Sequence, residues 1–262
     1  MMGRLLPLLV LLLLAVPAKS EGMAAEGMTH PAECRVAEHQ IENNFALQQV
    51  GRAIAAKQLH ILVVGAGSSL LPGANGTKSA YPARLQHALT DKLPGVEIKM
   101  TIDVKPKRSA AEMVKSLVPA LVASKPNLVI WQTGTVDAMQ AVDPDQFSQA
   151  LDKGINIARS AGADVVFINQ QYSPRTESMI ALGTYAENMR WVALQQEVPL
   201  FDRFSIMKLW ADLGTFDLDS TTKKLDMAEH VHDCLGRLLA DLVIEAAKPG
   251  DKTSAPHAEG VH

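Results

Sequence analysis

Residues 61–89 read ILVVGAGSSLLPGANGTKSAYPARLQHAL. The opening residues form an apolar, β-branched run of strand type that ends in glycines and serines. Regular helical spacing returns only from about Tyr81. A turn of this composition at a strand end serves two chemistries: it cradles a dinucleotide phosphate, or it holds up a nucleophilic serine. Gly65 and Gly67 fit the first two glycines of a phosphate-binding G-x-G-x-x-G, but the third position is Leu70. That fingerprint also needs a helix to start at once, so that its N–H groups face the pyrophosphate. Here Pro72, Gly73, Gly76 and Pro82 occupy that stretch instead. The dinucleotide reading fails on this context, and no cofactor is expected.

Outward from this stretch, short apolar runs alternate with helical spacing. LHILVVG (59–65), VEIKMTID (96–103), NLVIWQ (127–132) and ADVVFINQ (163–170) read as strands, and VPLFD (198–202) reads as a short fifth. The segments between them carry apolar residues three and four apart, and further helices are expected over about 36–57, 176–197, 203–213 and 227–247. Alternation of this kind predicts an α/β fold, a three-layer α/β/α sandwich with a mostly parallel sheet of flavodoxin-like type. Ligands in such folds bind beyond the carboxyl ends of the strands. That directs attention to residues 65–70, 104–109, 133–138 and 171–175.

The chain has 262 residues, 47% hydrophobic and 20% charged, with a formal charge of −3. That suffices for a full core and shows no basic excess, which argues against nucleic acid as a partner. Residues 1–20 combine a cationic start (MMGR), an apolar run (LLPLLVLLLLAV) and small residues at Ala18 and Ser20. This is the pattern of a cleaved signal peptide, too short and too interrupted by Pro7 to serve as a span. The expected organisation is a signal peptide at 1–20, a single domain at 21–247 and a disordered polar tail at 248–262, with no transmembrane span after cleavage. The expected location is periplasmic or secreted. In an oxidising compartment an isolated cysteine pair forms a disulfide more often than not. A Cys34–Cys234 bridge would contribute ~2–4 kcal/mol by restricting the unfolded chain.

The stretch at 61–89 resembles the first block of a bacterial, exported branch of the SGNH (GDSL-type) hydrolases, which reads G-S-S-S-T-A-G-x-G-A and then S-Y-P-A-R-L. LVIWQTGTVDA resembles that branch's V-I-W-Q-x-G-T-N-D-A. INQQYSPR, FDRFSIMKLWADLG and DCLGRLLADLV resemble its later segments, so the likeness covers roughly residues 34–245. The resemblance implies an ester hydrolase with a serine after the first strand, a glycine after the second, an asparagine after the third, and an aspartate–histidine pair near the C-terminus. Carried over position by position, none of these residues is present. The nucleophile position is Gly67, the glycine falls on Lys107, and the asparagine is Val136. Counting back from Cys234, the histidine becomes Asp226 and its aspartate Lys223. Losses at separate positions, with the scaffold segments between them retained, imply a pseudoenzyme, an SGNH-like fold without the SGNH mechanism.

Fallback candidates remain. Ser68 and Ser69 follow the lost nucleophile, His230 and His232 follow the lost histidine, and Asp226, Asp233 and Asp137 could orient an imidazole. A displaced Ser68–His230–Asp226 set would make the chain an esterase or deacylase, and sequence leaves that alternative open. His230 and His232 are two apart and diverge by roughly 200° on a helix, so no metal site is expected. Lys105, Lys107 and Arg108 follow the second strand and form either an anion-binding cluster or a solvated basic turn. The reading is an exported protein whose cleft binds an unknown envelope ligand or protein partner, or which serves as a scaffold.

Overall fold

The structure, a computed structural model, describes residues 30–37, 40–41, 44–219 and 225–248. The expected signal peptide and, apart from Lys248, the expected tail lie outside these residues, as does Lys223. Five strands form one parallel sheet: β1 (Gln58–Gly65), β2 (Glu97–Val104), β3 (Leu128–Gln132), β4 (Asp164–Ile168) and β5 (Leu200–Phe201), in the order β2-β1-β3-β4-β5. β3 is buried along its whole length, as the unbroken run LVIWQ demands of a strand covered on both faces. β2 lies at the edge and has no fully buried residue; its first half alternates, with Glu97 and Lys99 exposed and Ile98 and Met100 half-buried.

One face of the sheet carries α1 (Gln48–Ala55), α3 (Tyr81–Lys92) and α10 (Leu225–Ala247); the other carries α4 (Ala110–Ser124), α6 (Pro144–Ser160) and α8 (Leu182–Gln195). The three-layer sandwich expected from the alternation is therefore the fold. Short helices α2 (Gly76–Ser79), α5 (Thr135–Met139) and α7 (Pro174–Met179) lie in the loops, and α9 (Arg203–Asp212) follows β5. Local chemistry fixes the starts. Ser109 and Glu112 form a capping box on α4, while Asp143 caps α6 and Asp202 caps α9. Close packing fixes the layers. A Cβ at Gly154 would collide with the Trp131 ring, so only glycine lets α6 lie against β3.

Two helical expectations differ from the structure. The helix expected over 36–57 begins only at Gln48, and the segment before it is instead strapped onto α10. The Leu47 N–H donates to Ala246 O at 2.8 Å, His30 pairs with Asp241 at 2.5 Å, and Cys34 is bonded to Cys234. The bridge expected from the cysteine count is thus present, with a Cα–Cα distance of 4.9 Å across 200 residues. The helix expected over 176–197 breaks at Ile180 and Ala181 into α7 and α8, since Ile180 adopts an extended backbone.

Candidate functional site

In the strand order β2-β1-β3 the connections diverge from β1, which opens a crevice at the carboxyl ends of β1 and β3. The β1 end leads into a tight 3-10 turn, Gly67–Ser69. Gly65 must be glycine because a Cβ there would collide with Ser69 Oγ. Gly67 is different: it is exposed, and a Cβ built on it would meet nothing within 4 Å. The position assigned to the family's nucleophile therefore faces open space and carries no side chain.

The two serines beyond it are engaged elsewhere. Ser69 is fully buried; its hydroxyl donates to Gln132 Oε1 at the end of β3 and accepts from Tyr81 OH at 3.3 Å. This bridges the crevice between β1 and β3. Ser68 is half-buried, and both its carbonyl and its hydroxyl accept from the Arg203 guanidinium, at 3.2 and 3.3 Å. Neither serine is hydrogen-bonded to an imidazole among the described residues, where the nucleophile–base contact of covalent catalysis is therefore not formed.

The two histidines part as their spacing requires. His230 is exposed in the first turns of α10, whereas His232 is buried at 6% exposure. His232 Nδ1 accepts the Tyr81 N–H at 2.9 Å, which leaves the proton on Nε2. Burial first, then the charges of Arg203 and Arg84, push its pKa down to about 3. An imidazole this reluctant to take a proton, with Nδ1 already occupied, makes a poor general base near neutral pH.

The remaining candidates are scattered. Asp226 is exposed at the start of α10, and Asp233 accepts from Arg237 Nε at 2.7 Å on the same helix. Asp137 is buried and accepts the Ala110 N–H at 3.0 Å, tying α5 to the start of α4; burial raises its carboxyl above the ordinary range against the pull of that N–H. Val136 is half-buried, packs against the core and offers no donor. Lys107 is exposed with a left-handed backbone (φ 63°), and Lys105 lies 3.7 Å from Asp103. Arg108 is buried and spent on structure: it bonds Asp103, Ser116 Oγ at 3.0 Å and Gly65 O at 3.2 Å. The three basic residues of KPKRS therefore do not form one open cluster. Among the described residues, no group of three acidic, histidine or cysteine side chains is placed to hold a metal ion.

Sequence reasoning passed over Arg203, Gln132 and Tyr81, the residues that knit the crevice together. The strand-end rule would have reached Gln132, the last residue of β3, and Arg203, just past β5, had it been applied to every strand. An apolar groove of about 1110 Å3 lies between α4 and α6, lined by Val118, Leu121, Val122 and Ile157. It sits at the amino end of the sheet, beside the residues that precede β3 and β4, away from the strand ends where ligands bind in such folds. The site is therefore placed at the carboxyl end.

Comparison with known proteins agrees with this architecture. A model of the Non-GDSL lipase-like family matches residues 33–249. Among solved structures, TesA is 24% identical, with 70% of this chain and 99% of that one covered and a TM-score of 0.55. A lipase/acylhydrolase from Enterococcus faecalis is 17% identical over 74% of this chain and 99% of that one, with a TM-score of 0.59. A catalytic mutant of an acetylxylan esterase from Geobacillus stearothermophilus is 12% identical over 75% and 97%, with a TM-score of 0.55. These likenesses show the fold. No curated protein matches in sequence.

Proposed function

This chain belongs to the Non-GDSL lipase-like family, and we propose that it is an exported pseudoenzyme whose strand-end cleft binds an envelope ligand or a partner protein without hydrolysing it. The observation that carries this reading is the state of the turn after β1. Gly67 brings no side chain to the open position, and the hydroxyls of Ser68 and Ser69 are held by Arg203 and Gln132. Loss of the nucleophile and its base costs several powers of ten in rate. Val136, in place of an asparagine donor, removes oxyanion stabilisation as well. Export is supported by the Cys34–Cys234 disulfide, since such bonds persist in oxidising compartments. No helix among the described residues is long and apolar enough to cross a membrane.

The alternative is an esterase or deacylase that acts through Ser68 and His230. It draws on the half-buried Ser68 and the exposed His230, both accessible in part to a substrate. Hydrolysis of short p-nitrophenyl esters separates the two. The binding reading expects no turnover above a heat-denatured control at high protein concentration. Turnover that disappears in both Ser68→Ala and His230→Ala would overturn it.

A further inference from the structure

Arg203 is the anomaly of the crevice. It is 1% exposed, and no carboxylate among the described residues lies within ion-pair distance of it. Among the described residues its hydrogen-bond partners are the carbonyl and hydroxyl of Ser68, both neutral, and its Nε has none. Arg84 differs: it is only half-buried and pairs with Asp233 at 3.8 Å, although its Nε is buried and has no partner among the described residues. A buried charge left without a counter-charge is strongly unfavourable, so one that is retained calls for a reason, and binding an ion is one such reason. Burial draws the Arg203 guanidinium down to about 10, so it remains a cation at neutral pH.

The geometry around Arg203 gives that charge an outlet. Ser68 Oγ accepts from the guanidinium, which leaves its own hydrogen free to donate outward. The neighbouring Gly67 leaves open space where a side chain would stand. The loop after β2 lies alongside, with the Lys105 N–H bonded to Gly65 O at 3.2 Å, and it carries the exposed Lys105 and Lys107 side chains.

We propose that the crevice is an anion site: an oxyanion group on the ligand, phosphate or carboxylate, sits over Gly67, accepts from Ser68 Oγ and is held by the charge of Arg203. This names the ligand chemistry of the binding cleft and rests on the non-hydrolytic reading of that cleft. The pairing of a guanidinium with an oxyanion suits both shape and charge.

Isothermal titration of the full chain with inorganic phosphate, glycerol 3-phosphate and acetate, at constant ionic strength, tests it. These probes distinguish free ion, phosphomonoester and carboxylate. Saturable one-to-one binding of at least one probe is expected, weakened tenfold or more by Ser68→Ala and by Arg203→Lys. Because Arg203 variants could unfold, Ser68→Asp supplies a second arm: a tethered carboxylate beside Arg203 should raise the melting temperature and abolish probe binding. Absence of binding by all three probes overturns the anion site, as does binding unchanged in Ser68→Ala and Ser68→Asp. Ester turnover assayed on the same samples reports on the non-hydrolytic reading separately.

Discussion

Replacing His232 by asparagine should flatten the acid limb of the stability profile. His232 is buried and held neutral, with its pKa near 3 against an ordinary value of 6.5. Between those values the unfolded chain binds a proton that the folded chain refuses. The sign follows: stability is full above about pH 6.5 and drains as pH falls toward 3, at about 1.4 kcal/mol per pH unit. Between pH 7 and pH 5 the single imidazole should remove about 2 kcal/mol. The asparagine Oδ1 of His232→Asn takes over the Tyr81 N–H bond that Nδ1 now accepts at 2.9 Å, so packing is disturbed little while the titration disappears. Urea unfolding of both proteins at pH 7 and pH 5 gives the comparison, and the other histidines and carboxylates cancel in the difference. The wild type should lose about 2 kcal/mol more than the variant over that interval. Equal losses would mean that His232 titrates near its ordinary value, is solvated, and is available as a base after all.

The disulfide offers a second test. Replacing Cys34 and Cys234 together by alanine frees a span of 200 residues and should cost about 2–4 kcal/mol in urea unfolding, below the roughly 5 kcal/mol ceiling set by loop entropy. A loss under about 1 kcal/mol would show that the strap over α10 is held by its other contacts. The two glycines of the turn should respond in opposite ways. Gly65→Ala drives a methyl into Ser69 Oγ and should cost about 1–3 kcal/mol, whereas Gly67→Ala should stay within about 0.5 kcal/mol. Similar costs at both positions in thermal unfolding would contradict the open space at Gly67. Asp137→Ala removes the acceptor of the buried Ala110 N–H and should cost about 1–3 kcal/mol. Amide exchange at the start of α4 should accelerate in that variant; unchanged exchange there would count against the link.

The sheet was legible because its strands are short apolar runs separated by helical spacing, and a parallel sheet covered on both faces needs that pattern. The start of α3 at Tyr81 followed from the Pro/Gly-rich stretch before it. The amino-terminal segment was misread because three- and four-residue spacing looks the same whether a segment coils into a helix or lies extended against one. Its real determinants are long-range, namely the bonds from Leu47, His30 and Cys34 to α10. Within the site, Gly67 and Val136 were assigned by register alone. Arg203 could not be weighed from sequence, since an arginine in FDRF reads as surface charge until the fold buries it. The two-residue spacing of His230 and His232 put them on different sides of a helix but could not say which is buried; α10 turns His230 toward solvent and His232 under Tyr81.

The central claim is that no hydroxyl in the cleft is activated for attack. Intact-mass analysis of the full chain after exposure to an excess of a fluorophosphonate tests it most directly, since only an activated serine forms the adduct. The expected result is an unmodified mass over the whole incubation. A single adduct mapped to Ser68 would contradict the account and establish a working serine hydrolase in its place.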